Sequence, residues 1–135
     1  MGAIVVGFDG SRAAERALER AAALTSADGR VVVVTASVPR PPSVIDEPIV
    51  GGPSPAERDT LLERAATTLR SRGIDPALVA ADAGPTEALL EAARAHDAAL
   101  IVVGSRSSDY PTRVIIGSTA ENVVRQAPCD VLVVR

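Results

Sequence analysis

Two short stretches of this sequence carry residues whose types and spacing suit the binding of an anion. The first is Gly7-Phe8-Asp9-Gly10-Ser11, where a carboxylate follows a β-branched run, a glycine permits a tight turn and a hydroxyl can cap a following helix. The second is Gly104-Ser105-Arg106-Ser107, followed after nine further residues by Gly117-Ser118-Thr119. A helix opening at Gly117 presents unpaired N–H groups and the positive end of its dipole, so a glycine with two hydroxyls there makes a seat for phosphate. The Gly104–Arg106 turn can close on that seat from the other side. Plainer roles stand beside these: Asp9 as a turn residue, Ser11 as a helix cap, and Gly117 as a strand-to-helix turn with Ser118 as the N-cap. They leave the length of the segment between the two glycine turns without a reason.

Both stretches lie where strands end. Apolar runs recur at Ala3–Phe8, Arg30–Ala36, Leu78–Ala81, Ala98–Val103 and Val131–Val134. They are continuous and do not alternate, which is the pattern of parallel strands covered on both faces. Amphipathic segments separate them. Ser11–Ala27 places Ala14, Ala17, Leu18, Ala21 and Leu24 on one face and Arg12, Glu15, Arg16, Glu19 and Arg20 on the other. Pro55–Arg72, Thr86–His96 and Ser118–Gln126 complete an alternating order that predicts a three-layer α/β domain. Val38–Pro55 holds six prolines and the Gly51-Gly52 pair, so it reads as a loop over the carboxyl end of the second strand, either a lid or a surface insertion.

Composition removes several function classes. At 135 residues the chain is expected to form one domain, residues 1–135, with 38–55 as an insertion. Net charge is −3, which lacks the field that nucleic-acid binding needs. Every basic residue is Arg, so a P-loop lysine and Schiff-base chemistry are excluded together. One cysteine, Cys129, fits a reducing compartment, and MGAIVVGFDGS lacks the basic start of a signal peptide; a cytoplasmic protein away from membranes is expected. One histidine and one cysteine give no metal-ligand set. His96 reads as a helix-end residue and Cys129 as a small core residue, so no catalytic residue is assigned.

Gly104-Ser105-Arg106-Ser107, the nine-residue spacer and Gly117-Ser118 resemble the G-x-x-G-x9-G-[S/T] signature of the universal stress protein family. The closing Ala120–Val134 and the opening Ile4–Ser11 are similar to that family's last helix and strand and its first strand. The resemblance spans the chain apart from the proline-rich insert. It implies a doubly wound, Rossmann-like parallel sheet of five strands in order 3-2-1-4-5, of the adenine-nucleotide alpha-hydrolase type. It further implies a cytoplasmic stress-response regulator that binds ATP or AMP, with magnesium accompanying the phosphates. Asp9 would lie near ribose and adenine, with Ser11 beside it, and the backbone at Thr35 and Ala36 would meet the base. Gly104, Ser105, Arg106, Ser107, Gly117, Ser118 and Thr119 would hold ribose and phosphates.

The motif's second glycine is Ser107 here, and Asp109 follows. Serine at a positive φ costs what glycine does not, and a carboxylate beside a triphosphate is repulsive by about 1 kcal/mol in water. A second reading therefore stays open, an interaction module on the same fold that uses no nucleotide. Under the implied strand order, Val131, Leu132, Val133 and Val134 form an apolar edge. An edge of that kind predicts a two-fold homodimer in which this strand pairs antiparallel with its copy.

Overall fold

The computed structural model describes residues 2–38, 53–105 and 116–135. Among the described residues nine elements alternate: β1 (Ala3–Gly7), α1 (Arg12–Leu24), β2 (Val31–Ala36), α2 (Pro55–Arg70), β3 (Ala77–Ala81), α3 (Pro85–Ala95), β4 (Ala98–Gly104), α4 (Ser118–Gln126) and β5 (Asp130–Val134). The strands form one sheet in the order β3-β2-β1-β4-β5. Every neighbouring pair is parallel, with Val5 beside Val32 on one side and Ile101 on the other. This is the five-stranded 3-2-1-4-5 sheet that the resemblance implied.

Burial on both faces explains the unbroken apolar runs. In β1, Ile4 and Val6 point into a core shared with Leu18 of α1 and Leu62 and Leu69 of α2. Ala3 and Val5 point the opposite way, into a core shared with Leu89 of α3 and Val123 of α4. Each Val, Leu or Ile buried this way contributes roughly 1.5–3 kcal/mol relative to exposure, so a polar residue on the central strands needs a hydrogen-bond partner, as buried Thr35 of β2 has. Leu24, expected on the apolar face of the first helix, is 47% exposed at its last turn. Helix α2 opens at Pro55, where the missing N–H and preset φ suit the first helical position.

All five strands run the same way, so their carboxyl ends meet along one edge of the sheet. Here the chain crosses between layers, and backbone bonds pin the crossings. Ser105 N donates to Val134 O at 2.7 Å, and Gly117 N donates to Ser105 O at 2.6 Å. The two glycine turns of the signature are therefore tied to each other at their base. The flanks of the proline-rich stretch are tied in the same manner, with Ser37 Oγ donating to Pro53 O at 2.9 Å. Most of that stretch, residues 39–52, lies outside the described residues, as does 106–115.

Candidate functional site

A cavity of about 930 Å³ opens along the carboxyl edge of the sheet. Its floor is made by the ends of β1, β2 and β4, and its walls by the N-terminal parts of α1, α3 and α4 and by α2 from Ala56 to Arg64. That volume falls within the range of about 300–1,000 Å³ that small-molecule sites occupy. Both stretches singled out in the sequence line it: Asp9 and Ser11 on one side, Gly104, Ser105, Gly117, Ser118 and Thr119 on the other, with Thr35 and Ala36 between them. The expected Arg106 and Ser107 lie outside the described residues.

The β1 turn is closed by its own side chains. Gly10 takes φ +83°, which a side chain would strain, and a Cβ there would meet Leu61 Cδ2 at 2.8 Å. Asp9 Oδ1 accepts from Ser11 N at 2.9 Å, and Ser11 Oγ accepts from Ala14 N at 3.1 Å. Ser11 is thus the N-cap of α1, and one oxygen of Asp9 fixes the turn that presents the other. Thr35, buried at the end of β2, donates its hydroxyl to Phe8 O at 2.7 Å and locks the two strand ends side by side.

The opposite wall is built differently. Gly117 is the N-cap of α4 and provides no side chain to accept from the first-turn amides. Ser118 is the first helical residue, so the alternative that made Ser118 the N-cap is corrected: the chain turns one residue earlier, at Gly117. Gly104 has a purely structural reason as well. A Cβ on it would lie 2.8 Å from the carbonyl carbon of Ala13 and 2.9 Å from Ala14 N, so α1 can cross β4 this closely only over a glycine.

Helix α2 supplies a wall that residue patterns did not reveal. Arg58 donates to Ala81 O at 3.1 Å and to Asp82 Oδ1 at 2.6 Å, and that carboxylate holds the guanidinium above its ordinary pKa. Arg64 reaches the β1 turn, donating to Gly10 O at 3.1 Å and to Glu15 Oε1 at 2.5 Å, with its guanidinium 5.2 Å from the centre of the Phe8 ring. Phe8 and Arg64 both line the cavity. For Phe8 a signal was at hand, since it directly follows β1 and strand ends meet at the carboxyl edge; Arg64, nearly three turns into α2, gave none.

Other chemistry-bearing residues stand apart. His96 caps the end of α3, and its N–H donates to Ala92 O at 3.0 Å. Cys129 is half-buried, and burial together with Asp130 pushes its thiol pKa up, away from the reactive thiolate. Among the described residues, no group of three or more His, Cys, Asp or Glu is placed to hold a metal ion. No described helix is long and apolar enough to cross a membrane.

Comparison with known proteins agrees with this architecture. The model of the universal stress protein family matches residues 1–135. A universal stress protein of Thermus aquaticus is 31% identical over 134 residues, covering 98% of this chain and 97% of its own. Among solved structures, a universal stress protein from Archaeoglobus fulgidus superposes with a TM-score of 0.77 at 27% identity, over 100% of this chain and 94% of that one. The same organism's protein in complex with dAMP gives a TM-score of 0.76 at 26% identity, covering 100% and 98%. A universal stress protein in complex with cAMP gives 0.73 at 27% identity, covering 99% and 96%. By sequence, by strand order and by the turn that opens its fourth helix, this chain belongs to the universal stress protein family.

Proposed function

We propose that this chain binds an adenine nucleotide in the cavity at the carboxyl edge of the sheet and acts as a cytoplasmic, dimeric stress-response regulator. The observation that carries the binding reading is the contrast across the cavity. One wall presents a carboxylate that accepts hydrogen bonds, the other a helix N-terminus with a glycine cap, and a nucleotide has groups for both. Sugar hydroxyls donate to Asp9, and phosphate oxygens accept from the amides at Ser118 and Thr119. The base would lie over Thr35 and Ala36 between Phe8 and Leu89, with Gly104 and Ser105 beneath the ribose. Ser11 supports this from behind as the cap of α1. The dAMP and cAMP complexes of related structures support an adenine ligand. With a triphosphate, magnesium would arrive on the phosphates, because Asp9 and Glu57 are the described carboxylates lining the cavity.

The test is a thermal titration with AMP, cAMP and ATP, the last with and without magnesium. A ligand selective for the folded state raises Tm with concentration, by an amount equivalent to about 2.7 kcal/mol at a hundredfold excess over Kd. Gly117→Asp is the diagnostic variant. Asp is a good N-cap, so the helix gains, while its carboxylate occupies the phosphate seat. The shift with AMP should fall by more than half in that variant. A wild-type Tm that does not move at millimolar nucleotide rejects the binding reading and leaves an interaction module on the same fold.

The dimer reading rests on β5. Among the described residues it pairs with β4 alone, and Val131, Leu132 and Val133 are half-buried at the sheet's edge. Antiparallel pairing with a copy would satisfy that edge. Sedimentation equilibrium should return twice the chain mass, and Leu132→Pro should return the chain mass or a mixture; a monomeric wild type rejects the pairing.

A further inference from the structure

The contacts of Arg64 point to a role in the site that lies beyond its place on the α2 surface. The side chain crosses from α2 to the β1 turn and its neighbouring helix, bonding Gly10 through its carbonyl and Glu15 through its carboxylate. Its guanidinium stands over Phe8, the residue that links β1 to Asp9. Three residues earlier, Leu61 lies so close to Gly10 that a Cβ there could not be placed without moving it. Leu61 and Arg64 therefore grip the turn from one side, and Asp9 Oδ1 bonded to Ser11 N holds it from within. The first turn of α2 is fixed separately, by Arg58 at the end of β3. Resting on the nucleotide reading above, we propose that Arg64 is a positioning residue. It holds the Asp9-Gly10-Ser11 turn at the height where the Asp9 carboxylate meets the hydroxyls of a bound sugar, and so sets the preference for ribose over deoxyribose.

The chemistry behind that assignment is one of donors and acceptors. Asp9 has one oxygen committed to Ser11 N, and its other oxygen can only accept. A nucleotide offers the cavity hydroxyl donors on its sugar, while its phosphates would be repelled by a carboxylate. Discrimination by a charged hydrogen bond depends on placement within a few tenths of an ångström. Both bonds leave one guanidinium nitrogen, Nη2, while the planar group lies over the Phe8 ring, a stacking that a compact ammonium does not reproduce.

Two measurements test this on the intact chain. Affinities for AMP, 2′-deoxyAMP and 3′-deoxyAMP are measured by calorimetry for wild type, Arg64→Met and Arg64→Lys. Met keeps the apolar stem over Phe8 and removes every donor. The wild type should prefer AMP to the weaker deoxy form by about tenfold, as expected for one hydrogen bond to a charged group. Arg64→Met should bring that ratio below about threefold with AMP affinity lowered and deoxyAMP affinity nearly unchanged, and Arg64→Lys should fall between. A variant that loses affinity for all three in equal measure, or keeps the wild-type ratio, overturns the proposal. The second measurement needs no ligand: hydrogen exchange at the Ser11 amide should speed up at least tenfold in Arg64→Met while that of Val5 in β1 does not change. If the wild type binds none of the three nucleotides, the binding reading fails, and this exchange result alone decides whether Arg64 holds the turn. An unchanged Ser11 rate sinks it.

Discussion

The helices after β1 and β4 start at equivalent places in the fold, yet one start carries a side-chain cap and the other does not. Ser11 caps α1 with φ −69° and ψ 162°, and Gly117 begins α4 with φ −63° and ψ 158°. The two backbones are nearly the same, so glycine at 117 is not demanded by its dihedral angles. What differs is the side chain: Ser11 spends its oxygen on its own helix, whereas Gly117 brings no side-chain acceptor to α4's first amides. Glycine also has two unlike reasons on the two sides. Gly10 supplies a positive φ, and Gly104 supplies room for the backbone of α1. Under the nucleotide reading, the phosphate seat lies where a cap has been withheld, on a scaffold whose neighbouring turn shows what the withheld cap looks like.

The strongest way to break the comparison is at Gly104. Gly104→Ala drives a methyl to 2.8 Å from the Ala13 backbone, and neither α1 nor β4 has a flexible end that can yield. Overpacking of that kind costs about 1–3 kcal/mol, and the rigid partner places this variant at the upper end. Gly10→Ala meets only the tip of Leu61 and should lose about 1–2 kcal/mol, mainly through its left-handed backbone. Urea unfolding of both variants checks the order, and equal losses would show that α1 and β4 can separate without penalty.

These two glycines also mark how far the sequence could be read. The elements were legible because burial on both faces leaves strands such as Ile4–Val6 and Val31–Val34 with no polar position, and helices such as α1 with one clean apolar stripe. Boundaries moved by one to three residues, where caps decide them: α1 stops at Leu24 and α3 starts at Pro85. Strand order came through the family resemblance, since periodicity says which face is buried and nothing about neighbours. The candidate site was legible at Asp9 and at Gly117–Thr119, which line the cavity, because turn chemistry is local. Arg64 was not, since its place in the cavity depends on where α2 lands, a tertiary fact. The close approach behind Gly104 was equally hidden, because the sequence shows a glycine at a strand end and not the helix that crosses it.

A smaller effect tests the contrast most directly: exchange the caps. Ser11→Ala removes the acceptor from Ala14 N and should cost about 1 kcal/mol of stability. Gly117→Ser places a hydroxyl on a backbone that already has the geometry of the Ser11 cap, and should gain a few tenths of a kcal/mol. The two changes should act oppositely on the ligand. In Ser11→Ala the α4 amides are untouched, and AMP affinity should hold within about threefold once the loss of stability is allowed for. In Gly117→Ser the new oxygen competes for the amides that phosphate would use, so AMP affinity should drop several-fold in a protein that is slightly more stable. Stability and affinity moving in opposite directions is an outcome that a general loosening of the fold cannot produce. Were both to rise together in Gly117→Ser, the hydroxyl would be adding to the phosphate seat, and the withheld cap would no longer account for the site.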